Sequence, residues 1–404
     1  MRSSGGAFSY GEFRALWLAR GLSLLGDQLA RVAIAVLVYD RTNSPALTAT
    51  TYALTFLPYL AGPLLAGIGD RRSRRGVIVT LDMARALIVA IMALPGMPLA
   101  LVVGLLVIAT AASPLYDASR SAMLPDLLPE EIYPTGLGIF TITTEAAQVL
   151  GFAVGGVLVA AVGASPALFL DAFTFLAAGI AVLVGVRPRP AAGQTSQRAS
   201  GELRESLRMI GSSPNLRRLL ALAGLNAFWV VPEGLAAPYA ASLHGGPTAV
   251  GLLLASIPLG CVVGATVLIR FTSHEQRVRW MLPLAACTGL PLVACLAQPG
   301  LVVTLLLWGL CGVGTAYNVA ANTAYVAALP NSRRSQGIAV AAAGMVTGQG
   351  LAILLAGVVA SALAPWLVVS ASGVIAVAIT LAMAIRAPRR VASPYAVVKN
   401  QGLA

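Results

Sequence analysis

The sequence predicts an all-α integral membrane protein with twelve transmembrane helices in two six-helix halves. Three observations lead there. The 404 residues are 58% hydrophobic and only 10% charged, with a mean hydropathy of +0.83, whereas a soluble domain is roughly 45 to 50% apolar. Apolar runs of the length needed to cross a hydrocarbon core of about 30 Å recur along the whole chain. The arginines between those runs cluster on alternate connections, which is how a polytopic chain fixes its orientation.

Taken in order, the first six runs lie near residues 13–38, 46–68, 77–95, 98–122, 136–162 and 166–187. The polar start, Met1 to Gly11, lacks the small-residue cleavage site of a signal peptide. Asp70 to Arg75 forms a tight turn between helices 2 and 3. A linker from Pro188 to Pro214, rich in Arg, Ser, Gly and Gln, follows helix 6. Within it Leu203, Leu207 and Ile210 recur at helical spacing and predict a short amphipathic helix on the membrane surface. Six further runs lie near 216–243, 248–270, 279–297, 300–328, 336–362 and 365–387. The chain thus divides into an N-terminal half (1–187), a linker (188–215), a C-terminal half (216–387) and a tail (388–404).

Arg71 to Arg75, Arg187 to Arg218, Arg270 to Arg279, Arg333 to Arg334 and Arg386 to Arg390 all fall on the side of the two termini. The opposite connections carry no arginine except Arg41, which is neutralised by Asp40. Both termini and the linker are therefore expected in the cytoplasm. The excess of 27 basic over 15 acidic residues is spread over short loops facing anionic lipid and forms no continuous nucleic-acid-binding face. Lys399 is the only lysine in a chain rich in Ala and Gly, a bias expected of GC-rich bacterial coding and hence of a bacterial inner membrane.

Chemistry of other kinds finds little support. Cys261, Cys287, Cys295 and Cys311 lie inside apolar runs without C-x-x-C spacing, as small buried packing residues rather than a disulfide or zinc framework. His244 and His274 are expected in loops, and no H-E-x-x-H, G-x-S-x-G or G-x-x-x-x-G-K-[ST] motif occurs. No enzyme activity, metal or cofactor is expected, so energy comes from an ion gradient, or the protein is a facilitator.

Ionisable groups at membrane depth cost at least a few kcal/mol unless they face a cavity or a partner. Arg20, Ser23, Asp27 and Arg31 fall within roughly 80° on helix 1 and form one polar stripe. Asp27 and Arg31, four apart, either neutralise each other or take part in proton coupling. Arg20 then requires an acidic group on another helix or an anionic portion of a substrate. Glu145 with Gln148 in helix 5, and Glu233 in helix 7, are further candidates, with Asp27, Arg31, Glu145 and Glu233 as the proton-coupling set. Pro232, Gly234 and Pro238 are expected to interrupt helix 7 around Glu233, serving either gating or a packing kink. Asn226, Asn318, Asn322 and Gln349 either bind a ligand in the cavity or hold helices together. Asp171, and Asp82 with Arg85, are expected near helix ends at the membrane interfaces.

The stretch Ala66 to Arg75 resembles the loop signature G-x-x-x-D-R-x-G-R-R of major facilitator superfamily transporters, with Asp70, Arg71, Arg74 and Arg75 on its charged positions and Ala66 and Ser73 in place of its glycines. Gly138, Ala147, Gly151, Phe152, Gly155 and Gly156 in helix 5 resemble the antiporter signature of that superfamily, with Ala147 and Phe152 replacing its Gly and Pro. Gly151 and Gly155 also have a generic use, close approach of another helix. Phe13 to Trp17, Gly26-Asp27, Val38 to Asp40, Ser44-Pro45 and Leu124 to Leu127 are similar to the bacterial exporters that include the enterobactin and macrolide efflux pumps. The resemblance implies a monomeric exporter of small amphipathic molecules such as drugs, siderophores or natural products, working by proton antiport with its substrate site between the halves. It also implies a latch in which Asp70 pairs with Arg120 and with the start of helix 11 near Ser335. The alternatives are a transporter of lipid-like molecules or a metabolite importer of the same fold, and a non-transporting membrane sensor or assembly partner.

Overall fold

The computed structural model describes residues 4–61, 73–189, 208–330 and 334–385. Among these residues every regular element is a helix. After a single helical turn at Ser4–Ala7 come, in chain order, α1 (Gly11–Thr42), α2 (Pro45–Leu54, continued by a 3-10 turn at Leu57–Ala61), α3 (Arg74–Met92), α4 (Leu99–Leu127), α5 (Tyr133–Val162) and α6 (Ala164–Gly185). After the linker come α7 (Pro214–Gly234, then Ala236–Ser242), α8 (Pro247–Phe271), α9 (His274–Ala294, continued by a 3-10 turn at Cys295–Ala297), α10 (Leu301–Ala328), α11 (Arg334–Val359) and α12 (Pro365–Ile385). Nine of them are long and apolar enough to cross a membrane, and α7 makes a tenth if its two pieces are one span. The two others are α2, whose expected continuation to residue 68 lies outside the described residues, and α3, which bears Arg74, Arg75, Asp82 and Arg85 in 19 residues.

Local chemistry sets the boundaries. Ser44 caps α2 by accepting from the Leu47 amide, with Pro45 at the first helical position. Asn43 just before it takes the left-handed conformation (φ 49°) that ends α1. Ser73 caps α3 through the Gly76 amide, and Gly163, at φ 86°, lets α5 turn directly into α6. Ser273 and Gln276 form a reciprocal capping box at the start of α9. As expected from its prolines, α7 is broken, with a 50° bend before Ala236.

The apolar packing shows how the halves meet. On the side away from the termini, one continuous buried cluster joins α1 to α6 with α7 to α12, from Leu29, Val32 and Phe152 to Leu253, Ile353 and Ala356. On the side of the termini it gives way to two clusters. One belongs to the N-terminal half, around Phe13, Ile78, Tyr116 and Phe140; the other to the C-terminal half, around Ile210, Leu216, Leu219 and Tyr325. The outer wall bears large exposed apolar side chains such as Ile142, Phe173, Val302 and Ile385, the surface expected against lipid.

The expected surface helix at Gly201 to Ile210 lies mostly outside the described residues; residues 208–212 are helical, and Ile210 is buried against the base of α7. Two cysteines follow the packing expectation, Cys295 and Cys311 being buried, while Cys261 is half-buried and Cys287 is exposed. His274 opens the first turn of its helix rather than lying in a loop.

Candidate functional site

The polar stripe of α1 faces inward. Arg20, Asp27 and Arg31 line a cavity of about 90 Å³ together with Arg85 from α3, Asp171 from α6 and the apolar side chains of Ile34, Val89, Leu106 and Phe175. The expectation that Arg20 needs an acidic partner on another helix is met by Asp117 of α4, at 2.9 Å. Asp27 does not pair with Arg31. Its partner is Arg85, which also donates to Ser23 Oγ at 3.4 Å and lies 4.0 Å from the centre of the Phe175 ring. Helix spacing proposed Asp27 and Arg31 as neighbours, but α3 brings a guanidinium closer.

Asp82, Arg85 and Asp171 correct the sequence reading: they are interior rather than interfacial, with exposures of 0%, 2% and 1%. The backbone makes room for them. Asp171 fits against α1 because residue 26 is glycine, where a Cβ would collide with its carboxylate; at Gly179 of α6 an added Cβ would run into Met83 Cε and come 3.2 Å from Asp82 Cβ, so that glycine lets α3 approach. Both carboxylate oxygens of Asp82 lack a hydrogen-bond partner among the described residues. Among the described residues, the Asp171 carboxylate accepts from Thr174 Oγ1, at 3.3 Å.

A second constellation crosses between the halves. Tyr52 of α2 donates its hydroxyl to Glu233 Oε2 of α7 at 2.8 Å, and the Arg31 guanidinium lies 5.7 Å from the centre of the Tyr52 ring. Glu233, at the break in α7, therefore faces the partner half. Sequence patterning did not single out Tyr52; the signal it carried was its place beside Thr48, Thr51 and Thr55, which recur on one face of the run.

The other expected site residues divide. Asn318 Nδ2 donates to Asn226 Oδ1 at 3.1 Å, tying α10 to α7, and Asn322 is exposed. Gln349, Gln148 and Glu145 are half-buried, and their side chains make no hydrogen bond or ion pair among the described residues. Arg74 bridges to Asp126 and to the Ala122 carbonyl, both at 2.7 Å, and Arg75 donates to the Leu183 carbonyl, so both arginines fasten α3 to its own half. Arg120 turns toward Asp117 (3.9 Å) and the Phe140 ring (4.8 Å). Asp70 and Arg71 lie outside the described residues, as does the side chain of Ser335.

In α5, Gly151 and Gly155 abut α1, where added Cβ atoms would come within 2.7 Å of Gln28 Cβ and 3.0 Å of Leu29 Cα. Gly156 meets Gly251 of α8 across the halves, an added Cβ falling 2.8 Å from its Cα. Ala147 and Phe152 are buried beside them, while Gly138 faces open space.

Comparison with known proteins agrees with this architecture. The chain is 21% identical to macrolide efflux protein A of Streptococcus pyogenes over 278 residues, 66% of this chain and 68% of that protein. It is 25% identical to the MFS-type transporter YjbB of Bacillus subtilis (strain 168) over 279 residues, 65% and 67% of the two chains. In fold it resembles the crystal structure of the nucleoside transporter NupG (TM-score 0.76, 12% identity, covering 92% and 99%). It also resembles a bacterial homologue of the human lysosomal transporter Spinster (TM-score 0.71, 15% identity, covering 99% and 98%). The family model described as transmembrane secretion effector matches residues 3–399, and with its all-helical, multi-pass architecture the chain belongs to that family of membrane transporters of the major facilitator type.

Proposed function

We propose that the protein exports small amphipathic molecules across a bacterial inner membrane by proton antiport, with both termini and the linker in the cytoplasm. The observation that carries this reading is the charged cavity sunk among apolar helices, beside halves that are sealed on one side and separately packed on the other. On this reading residues 1–187 and 216–387 rock against each other, and the arrangement corresponds to a cavity approached from the cytoplasm, where an exporter collects its substrate. Similarity to a macrolide efflux protein supports the direction.

A proton-coupled exporter needs a carboxylate whose surroundings change as the halves move. Asp27 fits best. It lies about halfway along α1, is paired with Arg85 and lines the cavity together with Asp171. Protonation of Asp27 would release Arg85 for Asp171, and deprotonation would draw it back, so a proton could exchange without leaving an arginine unpaired. Glu233 is the gate-facing alternative, and Glu145, remote from this cluster, is the weaker one.

Inverted membrane vesicles test the direction and the coupling together. Under an imposed inside-acid gradient, vesicles containing the protein should accumulate fluorescent amphiphiles, while Asp27→Asn vesicles should only equilibrate them. Accumulation confined to right-side-out vesicles would make the protein an importer, and uphill transport by Asp27→Asn would move the proton site to Glu233 or Glu145.

A further inference from the structure

We infer that the cavity recognises the acidic group of an amphipathic anion through Arg31, and that this anion competes with Glu233. The inference rests on the transporter reading above and adds the chemical class of the substrate. Of the three arginines lining the cavity, Arg20 and Arg85 are each held by an aspartate, Asp117 and Asp27. Arg31 is the exception: among the described residues no carboxylate oxygen lies within 4.0 Å of it, and it is held by Tyr52, its guanidinium 5.7 Å from the centre of the ring and within hydrogen-bonding reach of the hydroxyl. A guanidinium held only by an aromatic ring and its neutral hydroxyl, with no carboxylate on its fork among the described residues, suits bidentate binding of a carboxylate. Around it stand the apolar side chains of Ile34 and Leu106 and the neutral hydroxyls of Thr48, Thr51 and Thr55, so an anion that reaches it completes a charge at membrane depth.

The cavity wall explains the rest of the ligand. Apolar side chains would take a hydrophobic body, leaving one acidic group for Arg31. Asp171, which also lines the cavity and accepts from Thr174, is the group that would instead favour an amine. Glu233 supplies the link to transport. Its carboxylate is held by the Tyr52 hydroxyl, on the ring that Arg31 covers, so it lies in the field of that arginine. An incoming carboxylate takes over Arg31 and the Tyr52 hydroxyl, removing a hydrogen bond that joins the halves on the sealed side. Binding an acid therefore loosens the seal that an exporter must open.

The test uses the full-length protein in nanodiscs and three ligands with one aromatic body, naphthylacetate, its methyl ester and naphthylethylamine, repeated with anthracenyl counterparts. The acid is expected to bind at least about tenfold tighter than the ester, as for a charge-assisted hydrogen-bonded pair in place of a neutral one. Arg31→Gln should erase that preference and Arg31→Lys keep part of it. Glu233→Gln should strengthen acid binding, because the competing charge is gone; a merely structural role for Glu233 would weaken it or leave it unchanged. Equal binding of acid and ester, binding of none of them, preference for the amine, or an acid preference that survives Arg31→Gln would each overturn the inference. Acid binding that depends on Arg31, with no proton-driven transport in vesicles, would sink the export reading while leaving this one in place.

Discussion

The ion pairs of the cavity are the smallest unit on which the rest depends. A buried pair adds little net stability compared with apolar residues of the same volume, but removal of one partner leaves an uncompensated charge and costs about 3 to 5 kcal/mol. Arg85→Gln, which strands Asp27, should therefore lower the melting temperature and folded yield sharply, and Asp27→Asn added to it should restore much of the loss. Thermal unfolding of the two single variants and the double variant in detergent gives the coupling directly; additive losses would mean that the two side chains do not depend on each other. Tyr52→Phe deletes one hydrogen bond to a charged acceptor, about 1.5 to 3 kcal/mol. It should shift the balance of the two transport states by about tenfold or more toward the one open on the far side. Spin-label populations check this, and an unchanged ratio would remove the gating role of the bond between Tyr52 and Glu233.

At this scale the sequence is partly readable. The need of Arg20 for an acidic partner follows from a charge in an apolar run, but its identity as Asp117 depends on the relative rotation of helices 97 positions apart in sequence, which periodicity within one helix does not contain. Asp82 and Asp171 were misplaced for a different reason. Each lies about two turns from the start of its helix, so counting from the ends puts it near the interface, whereas burial is decided by the direction of the side chain. The Asp171 carboxylate packs on Gly26 of α1, and Gly179 of α6 lets the α3 segment that carries Asp82 and Met83 come close; that complementarity exists only in three dimensions.

Helices meet through small residues here because lipid offers no hydrophobic drive for their association. The expected close approach at Gly151 and Gly155 is present, but those two glycines hold α5 to α1 within one half; it is Gly156 that touches the other half, at Gly251. The two contacts should separate by mutation. Gly156→Val, with its first side-chain carbon driven into Gly251, should force α5 and α8 apart on the sealed side and reduce transport with only modest loss of folded protein. Gly151→Val should chiefly reduce folded yield, and Gly138→Ala, which faces open space, should change neither. Size-exclusion recovery measured beside vesicle transport distinguishes the three, and equal behaviour of Gly156→Val and Gly138→Ala would deny the interface its role. The break in α7 was legible from Pro232, Gly234 and Pro238, since a missing amide and a flexible residue disrupt the ladder wherever they fall. Its pairing across to Tyr52 was not, because nothing local to α2 specifies a partner 181 residues away.

For the molecule as a whole, hydropathy and the alternation of arginines suffice to read an all-helical multi-pass fold, because a bilayer forces each spanning segment to satisfy its backbone internally. What they do not reveal is the state in which the halves sit. That appears in the packing, one apolar cluster spanning both halves on the far side and two separate clusters on the side of the termini. If the charged cavity is served by alternating access, both patterns must exchange. Distances between spin labels at the exposed pairs Leu94 with Gln298, on the far side, and Glu130 with Ser273, on the side of the termini, measure that exchange most directly. The resting protein should give a short far-side distance and a long one near the termini, and Glu233→Gln should lengthen the first while shortening the second. If the two distances stay fixed, or change in the same direction, the halves do not alternate about this cavity and the transport mechanism proposed for it is wrong.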